Sequence, residues 1–115
     1  MIGARERKQF EDDGFFVLER VVSDVDLAAL RDECRRFIDE RDRDMDAAGT
    51  DQLDLDLRGR RYFVNDCSTK SVKLRAFVLG ELMATICRAT LGDDAYLFND
   101  QYVVKGAEIG AKFEW

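Results

Sequence analysis

The first half of the chain contains the pattern of one long amphipathic helix. Ser23 is a suitable N-cap, and Asp24 and Asp26 fall in the first turn, where the helix dipole favours negative charge. Apolar residues then recur at three- and four-residue spacing, which places them on one face: Leu27, Leu30, Cys34, Phe37 and Ile38. The opposite face, within RDECRRFIDERDRDMD, alternates in charge sign and is typical of a solvated surface. We therefore predict a helix that follows Ser23 and runs to about Asp46.

The remaining patterns mix helices with strands. RERKQFEDDG predicts a first short helix that ends at Gly14, a residue suited to the left-handed conformation just past a helix end. The aromatic and branched residues of FFVLERV predict a strand over 15–21. Residues 49–57 are predicted to form a loop, in which LDLDL alternates with the period of a strand. We predict a strand over 60–66, a polar turn over 67–69, helical segments over about 71–79 and 81–91, and a strand over 95–105. This mixture predicts the α+β class.

The last predicted strand, AYLFNDQYVVK, has two unlike faces, because successive side chains of a strand point to opposite sides. One face is mostly apolar and suits packing against the helices: Tyr96, Phe98, Asp100, Tyr102 and Val104. The other face is more polar: Leu97, Asn99, Gln101, Val103 and Lys105. If this second face lies in solvent, its polar groups need no explanation. If it lines the inside of a barrel, a polar or anionic ligand would supply their partners.

Charge and hydropathy limit the classes of partner. The 115 residues carry 18 basic and 24 acidic side chains, a net charge of -6, and no basic stripe. Nucleic acid and anionic membrane surfaces are therefore not expected partners. No apolar run has the length of a membrane span or resembles a signal peptide, so we expect a cytoplasmic protein.

Cysteine and histidine usage limits the chemistry. Cys34, Cys67 and Cys87 are widely spaced without a CxxC pair, so neither a disulfide framework nor a zinc site is expected. Histidine is absent, which excludes a Ser-His or Cys-His relay and a histidine-ligated metal within these residues. The acidic residues of LDLDL lack the regular spacing and the closing glutamate of an EF-hand calcium loop. A metal could bind here only through carboxylates.

Two stretches of the chain are similar to a known family. The first is FEDDGFFVLERVVS followed by DLAALRDECRRFID, and the second and more specific one is LFNDQYVVKGAEIGAKFEW, residues 97–115. Together they resemble the N-terminal part of the phytanoyl-CoA dioxygenase family of iron(II)- and 2-oxoglutarate-dependent oxygenases. The second stretch resembles the family segment that leads into its His-X-Asp metal-binding motif. The resemblance covers nearly the whole chain and implies that it ends just before the first metal ligand.

The resemblance also implies a fold and a cosubstrate site. The fold would be a double-stranded β-helix, a cupin-like jelly-roll, of which residues 1–115 are the N-terminal portion within a single domain. Residues 1–94 would be mainly helical with short strands, and residues 95–115 would hold the first core barrel strands. Gln101 and Lys105 match positions that bind 2-oxoglutarate, and weaker candidates line the substrate pocket: Tyr62, Asn99 and Trp115. No catalytic residue or metal ligand is expected among the 115 residues.

The implied activity belongs to a longer parent enzyme. With iron(II) bound, this parent enzyme would couple oxidative decarboxylation of 2-oxoglutarate to hydroxylation of a small organic substrate. The chain alone is expected to bind no iron tightly, to be inactive, and to be poorly stable or self-associating through strand edges without the remainder of the polypeptide. Two alternatives stay open: a small acidic α+β interaction or regulatory domain whose edge strand pairs with a partner, and a catalytically dead family member.

Overall fold

The computed structural model describes residues 2–107, in which helices pack on an antiparallel sheet. This is the predicted α+β class. In chain order the elements are α1 (Ala4–Asp13), α2 (Asp24–Ala48), β1 (Gln52–Leu53), β2 (Asp56–Leu57), β3 (Arg61–Asn65), α3 (Cys67–Lys70), α4 (Val72–Val78), α5 (Glu81–Thr90) and β4 (Gln101–Lys105). Across residues 2–107, no helix combines the length and apolar character that a membrane crossing requires.

Helix α1 ends where predicted, but the prediction of a strand directly after it is wrong. Gly14 adopts a φ of 78°, and its N–H donates to the Phe10 carbonyl at 2.9 Å. Residues 15–21 form no strand, and Phe15 and Val17 are exposed. Phe16 instead packs edge-on against Phe10, with ring centroids 6.0 Å apart. The β-propensity of this stretch is not expressed because no strand within residues 2–107 lies beside it to pair with.

Helix α2 confirms the predicted cap and the predicted apolar face. The Ser23 hydroxyl accepts a hydrogen bond from the Asp26 N–H at 3.1 Å, which satisfies a first-turn donor. The apolar face is buried at Phe37 and half-buried at its other predicted members. The helix extends slightly past the predicted end and stops at Gly49, whose φ of 67° is left-handed.

A short hairpin, β1–β2, replaces the loop predicted over residues 49–57. Arg41 of α2 holds it: its guanidinium bonds the carboxylates of Asp56 and Asp54, the latter at 2.9 Å. Asp56 is 2% exposed, and its other carboxylate oxygen accepts from the Phe63 N–H of β3 at 2.7 Å. One buried carboxylate therefore joins α2, the hairpin and β3.

The middle of the chain follows the predicted order with one exception. Strand β3 and helices α4 and α5 confirm the predictions for 60–66, 71–79 and 81–91. The predicted polar turn forms the single-turn helix α3, in which the N–H and hydroxyl of Ser68 bond the Asp100 carboxylate at 2.8 and 2.9 Å. Gly80 separates α4 from α5, and a Cβ atom there would lie 2.7 Å from the Ala76 carbonyl oxygen, so a larger residue would displace the α4 backbone.

The four-stranded sheet has the order β1-β2-β3-β4 with antiparallel neighbours. Strands β3 and β4 pair from Arg61 opposite Lys105 to Asn65 opposite Gln101. The strand predicted over 95–105 is thus confirmed only for its second half. Tyr96 and Phe98, which were predicted to pack on the helices, are 87% and 93% exposed. Residues 95–100 form no strand, so the alternation predicted for them does not apply.

The core lies between the helices and one face of β3 and β4. Its buried centre is Phe37, Cys67 and Leu74, around which Leu30, Val64 and Tyr102 pack. The Tyr102 hydroxyl donates to the Leu30 carbonyl at 2.7 Å, and its ring centroid lies 6.2 Å from that of Phe37. The core therefore anchors the inner face of β4.

Replacing the buried carboxylate should destabilise the fold far more than replacing the exposed one beside it. We expect Asp56→Ala to lower the free energy of unfolding by about 3 kcal/mol, because the Arg41 charge and the Phe63 N–H lose a buried partner. Asp54→Ala removes an exposed partner of the same arginine and should cost less than about 1 kcal/mol. Urea unfolding followed by circular dichroism measures both, and equal losses would contradict the role given to Asp56.

Candidate functional site

Strand β4 shows the predicted separation of its faces over Gln101–Lys105. Tyr102 and Val104 are half-buried on the helix side, whereas Gln101, Val103 and Lys105 are exposed. The more polar set thus lies away from the helices. The sequence pattern left open whether this face meets solvent or a ligand, and the structure places it on the surface of the described residues.

Strand β3 adds a second row of side chains to this surface. Because the strands are antiparallel and in register, three cross-strand pairs share the outer side: Arg61 with Lys105, Phe63 with Val103, and Asn65 with Gln101. We call these residues the open face. It runs from a cationic pair through an apolar pair to an amide pair. Its ends lie about 14 Å apart, at roughly 3.4 Å per residue.

Hydrogen bonds fix the amide end of the open face. The Gln101 side-chain amide donates to the Asn65 side-chain oxygen. The main-chain carbonyl of Asn65 accepts a hydrogen bond from Lys70 Nζ at 2.9 Å, which connects this residue to α3. At the cationic end, Arg61 Nε donates to the Leu55 carbonyl at 2.8 Å. The positions of Gln101 and Arg61 are therefore set by the protein itself.

The weaker substrate-pocket candidates from the sequence are not found on the open face with Gln101 and Lys105. Tyr62 is 4% exposed on the helix side of β3; its hydroxyl donates to Asp42 and accepts from the Gly59 N–H, both at 2.7 Å. Burial raises the pKa of Tyr62, so this hydroxyl stays neutral at physiological pH. Asn99 is exposed just before β4, and Trp115 lies outside the described residues.

A cleft of about 430 Å³ lies beside the open face, between α2, the hairpin and α3. Asn65 belongs to its wall as well as to the open face. Its charged lining is mainly acidic, with Arg41 and Lys70 as the cations: Glu40, Asp44, Asp54 and Asp56 are the acids. Such a lining repels a dicarboxylate, so the open face is the better candidate for an anionic ligand.

Comparison with known proteins identifies no relative of this chain. No family model, curated protein or solved structure matches the chain. Residues 2–107 contain no cluster of three potential ligands of the histidine, cysteine or acidic type, and the chain contains no histidine. The open face itself offers two amides and two cations.

Sequence reasoning missed Arg61 and Asn65 as neighbours of Lys105 and Gln101. The alternation in RRYFVND already places Arg61, Phe63 and Asn65 on one face of a strand. Their position beside β4 depends on the pairing and register of the two strands, which the sequence pattern does not contain.

Tyr102, on the inner face of β4, makes the stability of the fold depend on pH. Burial, followed by the nearby Cys34, Cys67 and Glu33, raises the pKa of Tyr102 to about 12. Neutral Tyr102 therefore contributes stability that is fully present below the unfolded value of about 10 and is lost as the pH rises through about 12.

A near-ultraviolet phenolate titration should show a late step to which Tyr62 and Tyr102 both contribute, because burial raises the pKa of each. Tyr102→Phe should reduce the amplitude of that step by one tyrosine, whereas replacing the exposed Tyr96 by Phe should leave it unchanged. A late step of unchanged amplitude in Tyr102→Phe would contradict the assignment.

Proposed function

We propose that this chain forms the N-terminal portion of an iron(II)- and 2-oxoglutarate-dependent oxygenase that hydroxylates a small organic substrate. The observation that carries the proposal is the open face, where Gln101 and Lys105 lie on one exposed side of β4. These residues were assigned to the cosubstrate by resemblance to the phytanoyl-CoA dioxygenase family. Their common orientation is what a shared ligand requires.

The chemistry of the open face fits 2-oxoglutarate. This cosubstrate carries two carboxylates and a keto oxygen, all of which accept hydrogen bonds. Gln101 and Asn65 present amide groups, and Lys105 and Arg61 present cations on the same side of the sheet. Ammonium and guanidinium groups form charge-assisted hydrogen bonds with carboxylates, which are the stronger class of such bonds. These residues would bind and orient the cosubstrate.

The described residues do not fit the iron ion. Iron(II) in this class of enzyme is held by two histidines and a carboxylate, and this chain has no histidine. Iron would supply the oxidative chemistry when bound, and its ligands would have to come from another part of the polypeptide. The residues of this chain are then binding and positioning residues.

The two unlike faces of the sheet support the proposal that it is part of a larger barrel. One face of β3–β4 packs on the helices, and the opposite face carries exposed Gln101, Val103 and Lys105. In a jelly-roll a second sheet faces the first, and the ligand lies between them. We propose that the open face is the barrel-lining side and that the helices cover the outside.

A non-catalytic interaction domain is the second candidate. The exposed Tyr96 and Phe98 precede β4, the last strand of the sheet within residues 2–107. A strand at a sheet edge can take a partner strand by backbone pairing, and neighbouring aromatic side chains would add contact area. This candidate requires neither a cosubstrate nor a metal.

The cosubstrate assignment predicts a selective loss of affinity. In a polypeptide that continues through the His-X-Asp motif, Lys105→Ala should weaken 2-oxoglutarate binding by about tenfold to a hundredfold, because one charge-assisted hydrogen bond is lost. Lys73→Ala removes an exposed lysine of α4 and should leave the affinity unchanged. Anaerobic calorimetry with iron(II) measures this, and equal affinities for both variants would overturn the assignment of Lys105.

The coding sequence tests the family assignment directly. We expect the codons after Trp115 to encode histidine, any residue, and aspartate. A changed residue at the histidine or aspartate position would favour the catalytically dead family member. A stop codon at that point would remove the enzyme proposal for this chain and favour the interaction domain.

A further inference from the structure

The cleft between α2, the hairpin and α3 has the size and the walls of a small-molecule site. Its volume of about 430 Å³ lies within the range of about 300–1,000 Å³ that is usual for ligand pockets. Apolar side chains form part of its lining, among them Phe37 of α2, Leu55 of the hairpin and Phe63 of β3. Leu55 is 63% exposed, although it is a large apolar residue. Part of the apolar wall is thus open to a ligand.

The cations that line the cleft, Arg41 and Lys70, are engaged by the protein itself. Arg41 Nε bonds the buried Asp56 carboxylate, and Arg41 Nη2 donates to Asp54 at 2.9 Å. Lys70 Nζ donates to the main-chain carbonyl of Asn65 at 2.9 Å. An incoming anion would have to compete with these contacts, so the cleft does not favour an anionic ligand.

Two carboxylates at the rim of the cleft keep the capacity to accept further hydrogen bonds. Asp44 of α2 lies 3.9 Å from Arg41 Nη1, which is longer than a hydrogen bond, and its side chain is 66% exposed. Asp54 accepts from the same arginine at 2.9 Å, and its side chain is 87% exposed. An ionised carboxylate has about four acceptor positions. Since the buried Asp56 already compensates the Arg41 charge, Asp44 and Asp54 give this rim a negative charge.

We propose that this cleft binds a small organic cation, in which a primary ammonium group is attached to an apolar body. The ammonium group donates charge-assisted hydrogen bonds to Asp44 and Asp54. The apolar body lies against Leu55 and Phe63 and removes their surface from water. A metal ion fits the cleft less well, because residues 2–107 contain no cluster of three potential metal ligands and a metal ion makes no use of an apolar wall.

Arg41 holds the two rim carboxylates in place before a ligand arrives. Its guanidinium is anchored by Asp56, which is 2% exposed. Asp44 belongs to α2 and Asp54 to the hairpin, and both lie beside this one arginine. A preorganised pair of acceptors loses little side-chain entropy on binding. The rim carboxylates do not belong to the open face, so this site can exist whether or not the chain binds 2-oxoglutarate.

Titration of the chain with phenethylamine tests the proposal, with phenethyl alcohol as the uncharged counterpart of similar shape. Chemical shifts in heteronuclear NMR spectra measure both affinities and locate the site. We expect saturable shifts at backbone amides of α2 and the hairpin. The alcohol should bind at least about tenfold more weakly than the amine, because the ammonium group forms charge-assisted hydrogen bonds. Added salt should weaken the binding of the amine and leave that of the alcohol unchanged.

Matched substitutions test the charged and the apolar part of the site separately. Asp44→Asn should weaken phenethylamine binding about fivefold or more, because one rim charge is lost. Asp39→Asn removes an exposed acid of α2 outside the cleft and should leave the affinity unchanged. Leu55→Ala should weaken binding about threefold, whereas Leu97→Ala removes an exposed leucine outside the cleft and should not.

The comparison of the amine with the alcohol uses the unmodified chain, and circular dichroism checks that each variant is folded. The proposal is overturned if the amine shows no saturable binding or if the amine and the alcohol bind equally well. It is also overturned if Asp44→Asn and Asp39→Asn have equal effects.

Discussion

The arrangement of the sheet depends on the hydrogen bonds of the buried Asp56 carboxylate with Arg41 and with the Phe63 N–H. Strands of two residues, such as β1 and β2, are not stable by themselves, and β2 and β3 share a single residue pair. Beyond that pair, the Phe63 N–H donates its hydrogen bond to the Asp56 side chain and not to the backbone of a neighbouring strand. Arg41 compensates the charge from α2. This contact fixes β3, and β3 in turn fixes β4 and the open face.

The sequence was sufficient where a structure depends on local chemistry. The Ser23 cap, the left-handed Gly14 and the apolar face of α2 all follow from interactions within a few residues. The alternation of QYVVK likewise predicts the two faces of β4, and therefore the common orientation of Gln101 and Lys105. Neither result requires knowledge of a distant partner.

Features that depend on a distant partner could not be predicted in the same way. FFVLERV and AYLFN have strand composition, yet neither has a neighbouring strand within residues 2–107, and both expose aromatic side chains. LDLDL shows a strand period, but nothing in it distinguishes the buried Asp56 from the exposed Asp54. The addition of Arg61 and Asn65 to the candidate site also depends on register. A local sequence pattern therefore predicts secondary-structure elements, whereas the pairing of strands determines which side chains come together in a site.

For the proposed cosubstrate, the hydrogen bond between Gln101 and Asn65 has a consequence for affinity. A primary amide carries two N–H donors, and this bond uses one of them, so a ligand carboxylate could accept the other without displacing Asn65. The glutamine rotamer is then already restricted before any ligand arrives. Ordering a flexible side chain opposes binding by about 0.5–1.5 kcal/mol. The sheet has removed much of that entropic penalty in advance, and in this sense the amide end of the open face is preorganised.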